Sequence, residues 1–185
     1  MVRSIESVAV IGAGTMGAGI AAASAAAGCR VLILDMNADT VEAALEQVAD
    51  EDRHLVSTGL VDADLEAVSG YDWVCEAIVE DLSIKRDLFS RLEEIRKDGS
   101  VISSNTSGIP LRQISEGMPP RFCSDVAITH FFNPVKVMRL FELVPGEETD
   151  QEVISAFAEF GSSRLGKGVV HAKDTVNFIG NRIGC

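Results

Sequence analysis

The sequence is short of basic charge: 16 Lys and Arg stand against 28 Asp and Glu, for a formal net charge of −12. Nucleic acids and anionic membranes both reward basic patches, so neither is an expected partner. Paired cysteines are missing too. Cys29, Cys75, Cys123 and Cys185 show no CxxC spacing, and three of the four sit in or beside apolar runs, the usage expected of buried free thiols in a reducing compartment. Neither disulfides nor a metal centre are expected. The longest apolar stretch, Ile20–Ala27, is rich in alanine and too short to span a bilayer. Met1 leads through Arg3 into the first strand with no leader-like segment, so a cytoplasmic location is expected. Internal repeats and low-complexity segments are also absent. What is present, 185 residues of which 46% are hydrophobic and 24% charged, has the composition of one globular domain, or one domain plus a stub.

Strand and helix signals alternate along the chain. Ser7–Ile11 is a compact β-branched run ending in glycine, read as a buried parallel strand. A small-residue helix over Met16–Ala27, closed by Gly28, comes next. Arg30–Leu34 reads as a second buried strand ending on Asp35, and Asn37–Ser57 as one long helix capped by Asn37. Further strands are expected at Asp72–Cys75, Val101–Ser103, Asp125–Thr129, Met138–Val144 and Val169–Ala172. Helices are expected at Leu82–Arg96, Glu152–Phe160 and from Val176 onward. This order implies an α/β fold: a doubly wound, mostly parallel sheet with helices on both faces.

Gly12-Ala13-Gly14-Thr15-Met16-Gly17 is a GxGxxG directly after the first strand and opening a helix. The first glycine permits the tight turn, the second lets backbone approach a pyrophosphate, and the third lets the helix pack closely on the strand. The helix amino terminus adds amide donors and a positive dipole end. Alone the motif could be an ordinary turn. Asp35, at the carboxyl end of the next strand, supplies the missing context: a carboxylate there accepts ribose hydroxyls and repels a 2′-phosphate. That favours NAD, although Arg30 and Lys85 leave NADP open.

His130 is one of three histidines and closes the Asp125–Thr129 strand, at the edge of the sheet where ligands bind in open α/β folds. Glu142 lies in the next strand. If the two strands form a hairpin, the carboxylate meets the imidazole, fixes its tautomer and raises its basicity. Such a pair suits alcohol oxidation; a buried structural histidine beside a solvated glutamate is the plainer alternative. His54 and His171 are read as surface residues, and Ser103–Gly108 either as pocket wall or as a polar loop.

Taken together, VAVIGAGTMGAGIA (8–21), CEAIVEDLSIKRDLFSRLEE (75–94), SSNTSGIPL (103–111), HFFNPVKVMRLFELVPG (130–146) and GKGVVHAKDTVNFIGNRIG (166–184) resemble the 3-hydroxyacyl-CoA dehydrogenase family of fatty-acid β-oxidation. The resemblance implies NAD-dependent oxidation of a (3S)-3-hydroxyacyl-CoA to the 3-oxoacyl-CoA. It makes His130 the general base and Glu142 its orienting partner, with Ser107 and Asn181 bonding the reacting oxygen or the thioester. Glu80, Lys85 and Asn133 are placed along the cofactor and coenzyme A path. The wording is most similar to large bacterial versions that also carry a hydratase region. Val176-Asn177 departs from the proline-glycine usual in the family. The reading divides the chain into an NAD-binding domain over 1–175 and, over 176–185, the start of an all-helical domain that in the family forms the dimer. A dehydrogenase of another hydroxyacid shares the GxGxMG opening, but the HFFNP segment argues against it. A non-catalytic, crystallin-like NAD-binding relative is the rival of a different class.

Overall fold

The computed structural model describes residues 3–175. Eight strands form one sheet in the order β3-β2-β1-β4-β5-β6-β7-β8. They are β1 Ser7–Ile11, β2 Arg30–Asp35, β3 Val56–Leu60, β4 Trp73–Glu76, β5 Val101–Ser104, β6 Val126–Phe131, β7 Leu140–Pro145 and β8 Gly168–His171. Every neighbouring pair is parallel except β6 and β7, which run antiparallel as a hairpin. The helices are α1 Thr15–Ala26, α2 Ala38–Glu46, α3 Val61–Asp64, α4 Leu82–Ile95, α5 Leu111–Ser115, α6 Pro120–Asp125 and α7 Gln151–Glu159. This is the doubly wound Rossmann-type arrangement expected from the sequence.

Each face of the sheet carries its own core, because strands buried on both sides place alternate residues on opposite faces. On one face Val8, Val10, Ile33, Trp73 and Phe131 pack against α1, α2 and α7. On the other Ile11, Leu34, Val74, Ile102 and Ile128 pack against α4, α5 and α6. Trp73 is fully buried and edge-on to Phe157 and Phe160 at 5.7 and 5.4 Å, pairs worth about 0.5–1.5 kcal/mol each beyond their area. Cys29 and Cys75 are buried free thiols, and burial pushes the Cys75 thiol up to about 12. Among the described residues no helix is long and apolar enough to cross a membrane.

The long helix expected over Asn37–Ser57 is a correction. Asn37 does cap α2, accepting from the amides of Asp39 and Thr40, but α2 ends at Glu46. A 3-10 segment, Asp50–Leu55, follows, and Val56–Leu60 adds a strand to the sheet edge. The strand VSTGL buries none of its residues fully, so it has neither the apolar run nor the alternation that marks a strand. The short helices α5 and α6 were likewise not anticipated, and β7 runs two residues later than expected at its start.

Candidate active site

The carboxyl edges of β1, β4, β5 and β6 converge beside the point where strand order reverses, between β1 and β4. The glycine loop leaves β1 there. Gly12 has φ +106, and a Cβ on it would lie 2.7 Å from the Ala77 carbonyl carbon, so only glycine fits against the strand beyond. A Cβ on Gly17 would collide with the Gly12 carbonyl, which makes the third glycine the contact that lets α1 cross the turn. Gly14 differs: its added Cβ would meet nothing within 4 Å. The room above Gly14, at the amino end of α1, fits a group the chain itself does not supply. No side chain caps α1 there, whereas Asn37 caps α2 and Asp81 caps α4. Thr15 and Met16 form its first turn, and Met16 reaches the adjoining pocket.

Asp35 ends β2. Its Oδ2 accepts from the Ala13 amide at 2.7 Å and its Oδ1 from the Asn37 amide at 3.1 Å, tying the glycine loop to the second strand. An ionised carboxylate has about four acceptor positions, so this leaves capacity for hydroxyl donors.

His130 and Glu142 face each other across the β6–β7 hairpin in direct register. His130 Nδ1 lies 3.0 Å from Glu142 Oε1. Glu142 is fully buried and His130 is 5% exposed. A neutral imidazole with its proton on Nδ1 donates to a carboxylate in this position. The Phe132 ring packs against the imidazole with centroids 4.4 Å apart. His130, Met16, Ile78, Glu80, Lys85, Asn105, Ser107 and Asn133 line one cavity of about 310 Å³. The larger hollows, one beside α5 and one along the alanine face of α1, hold neither His130 nor Ser107.

Ser107 is held by Glu80, whose Oε2 accepts from both the Ser107 amide and its hydroxyl at 2.9 Å, while Oε1 accepts from Thr106 Oγ1 at 2.6 Å. Partial burial draws the Glu80 carboxyl upward, but these bonds and the Lys85 charge outweigh it and hold it below its ordinary value. Lys85 does not stand on an exposed helix start as its surroundings in the sequence suggest. It is 1% exposed, and its Nζ donates to Glu76 at 2.5 Å and lies 3.5 Å from Glu80. Glu76 carries no role in the sequence reading, because nothing in its local pattern, as the last residue of the buried strand WVCE, marks it as a partner of Lys85. Asn105 belongs to the Ser103–Gly108 segment that the sequence leaves open between pocket wall and polar loop; it lines the cavity, and its Oδ1 accepts from the Phe131 amide at 2.9 Å. His54 and His171 are exposed, away from the cavity. Asn181 lies outside the described residues.

The family model for the 3-hydroxyacyl-CoA dehydrogenase NAD-binding domain matches residues 7–175. A probable 3-hydroxyacyl-CoA dehydrogenase of Deinococcus radiodurans is 42% identical over an alignment covering 97% of this chain and 57% of the relative. One from Bacillus subtilis is 36% identical, with 100% of this chain and 27% of the relative covered. This chain therefore spans only part of the length of these curated relatives. Among solved structures, FadB2 of M. tuberculosis superposes with a TM-score of 0.88 at 33% identity, covering 97% of this chain and 68% of that one. A 3-hydroxybutyryl-CoA dehydrogenase of Escherichia coli gives the same TM-score at 32% identity, over 98% of this chain and 41% of that one. With a family model matching residues 7–175 and the fold shared with these solved structures, the chain belongs to the 3-hydroxyacyl-CoA dehydrogenase family, of which it carries the NAD-binding domain.

Proposed function

We propose that this chain forms the cofactor half of an enzyme that oxidises (3S)-3-hydroxyacyl-CoA to 3-oxoacyl-CoA in fatty-acid β-oxidation. The observation that carries the reading is the buried His130–Glu142 pair in the same cavity as Ser107, beside the glycine loop. Glu142 accepts the Nδ1 proton of the neutral imidazole, which leaves Nε2 as the basic nitrogen. Nε2 takes the proton of the 3-hydroxyl, and Glu142 stabilises the imidazolium that forms. Ser107, steadied by Glu80, donates to the reacting oxygen or the thioester carbonyl, a role shared with Asn181.

NAD, when bound, supplies the hydride acceptor. Gly12, Gly14, Thr15, Met16 and Gly17, with the amides of the first turn of α1, hold its pyrophosphate. Asp35 accepts from the adenosine ribose. Glu80, Lys85 and Asn133 border the nicotinamide end and the approach of the acyl-CoA. Residues 1–175 are assigned to this domain. Residues 176–185 are assigned to the start of the helical domain through which the protein pairs into a homodimer. The scattered cysteines favour the reducing cytoplasm as its compartment.

The test is oxidation of NADH by acetoacetyl-CoA, measured on the full-length protein. Turnover is expected. A folded protein that binds NADH and leaves acetoacetyl-CoA untouched would overturn the catalytic assignment in favour of a non-catalytic NAD-binding relative.

A further inference from the structure

Glu76 is fully buried at the carboxyl end of β4, on a sheet face otherwise lined by Ala9, Ile11, Val74, Ile102 and Ile128. Apolar packing would serve the fold there, because withdrawing a carboxylate and an ammonium from water carries a penalty of several kcal/mol per ion. Yet Glu76 and Lys85 are both buried, 2.5 Å apart. The remaining partners of Glu76 explain why. Its Oε1 accepts from Ser104 Oγ at 2.5 Å, its Oε2 from the Ile78 amide at 2.8 Å, and its backbone carbonyl from the Asn105 amide at 2.8 Å. Ile78, Lys85 and Asn105 all line the His130 cavity, while Glu76 does not. Lys85 in turn stands 3.5 Å from Glu80 Oε1, on the carboxylate that holds Thr106 and Ser107.

We propose that Glu76 is a positioning residue for the nicotinamide end of the site, its buried carboxylate holding Lys85 and, through the Lys85–Glu80 contact, the Thr106–Ser107 turn. The inference rests on the proposed cofactor reading of this cavity. Without the Glu76 charge, the Lys85 ammonium has Glu80 as its nearest carboxylate, in competition with the bonds that Glu80 makes to Thr106 and Ser107.

The experiment compares NADH with ADP-ribose, which lacks the nicotinamide, by titration calorimetry on the full-length protein, with thermal melts of each variant. E76Q is expected to weaken NADH about tenfold, equivalent to about 1.4 kcal/mol, and to change ADP-ribose by less than about twofold. In the K85M background the further E76Q change is expected to add nothing for NADH, because the residue through which Glu76 acts is gone. If E76Q fails to fold, the E76Q/K85M protein, which leaves neither ion unpaired, is compared with K85M and is expected to bind NADH equally. Parallel loss of NADH and ADP-ribose, unchanged NADH binding in E76Q, an undiminished effect beside K85M, or unfolding of the double variant would each overturn the inference. A wild-type protein that binds no NADH would instead sink the cofactor reading itself.

Discussion

Gly14→Ala separates cofactor binding from folding, because the three glycines of the loop answer to different neighbours. At Gly14 the backbone sits at φ −69 and ψ −167, extended values open to any residue, and the added methyl has no protein atom within 4 Å. Alanine caps a helix less well than glycine, but it also restricts the unfolded chain, a gain of about 0.4–1 kcal/mol. These terms oppose, so stability should move by no more than about 0.5 kcal/mol, or about 2 °C in Tm for a domain of this size. At Gly17 the methyl falls on the Gly12 carbonyl, within backbone that cannot yield cheaply. Overpacking of that kind should destabilise by about 2–3 kcal/mol and lower Tm by about 5–10 °C. For NADH the order reverses in interest. The Gly14 methyl stands where a pyrophosphate would meet the α1 amides, and losing one charge-assisted hydrogen bond, about 1.5–3 kcal/mol, raises Kd about 10- to 100-fold. Thermal melts and NADH fluorescence titration read both effects. A Gly14→Ala protein that binds NADH as wild type would refute the pyrophosphate assignment, and a Gly17→Ala protein that melts as wild type would refute the steric argument.

Three further perturbations follow from the site. His130→Gln should leave NADH affinity nearly intact and lower turnover with acetoacetyl-CoA by about two to four orders of magnitude; comparable turnover would remove His130 from the role of base. Asp35→Ala should weaken NADH about tenfold or more and narrow its preference over NADPH, since it removes both the ribose acceptor and the tie to the Ala13 amide; equal NADH affinity in the variant would exclude the ribose role. The Glu80 carboxyl is held below its ordinary value of 4.5, so its contribution is fully present above that pH and is lost as pH falls through the lower folded value. NADH affinity should accordingly hold down to the ordinary carboxylate value of 4.5 and fall only at more acid pH, as Glu80 takes up its proton. Asp72, held low by Lys97 and the Glu6 amide against the pull of partial burial, titrates in the same acid range. Glu80→Gln therefore isolates the effect: if the variant keeps the wild-type acid limb, the limb belongs to another group.

Much of this was legible in the sequence because a few residues carry local necessity. The glycine loop, Asp35 at the end of β2 and the apolar runs of β1, β2, β4 and β5 each follow from short-range rules of turn geometry and periodicity. β3 was not legible, since an edge strand need bury little and VSTGL leaves no apolar stripe. The burial of Lys85 was not legible for a related reason. In DLSIKRDLF the lysine reads as one charge among several on a helix start, and only the approach of α4 to the end of β4 reveals that it is buried against Glu76. Partners nine residues apart in sequence, drawn from a strand and a helix, leave no pattern that a single chain can announce.

The site nonetheless obeys a rule of period two. Val74 and Glu76, Ile102 and Ser104, and Ile128 and His130 are each two apart on parallel strands, so each apolar core residue is followed on the same face by a polar one at the carboxyl edge. β7 runs the other way and reaches that edge with its beginning, which is why Glu142 precedes its apolar counterpart Val144 and still meets His130 in register. One sheet face thus changes from core to chemistry along a single row, and the change needs no departure from regular strand geometry. The hairpin is the one reversal in this sheet, and it is what brings the Glu142 carboxylate to the imidazole. A parallel β7 in the same position would carry Glu142 into the sheet with Val144 beyond it, and the row would end at His130 without the carboxylate that orients the ring.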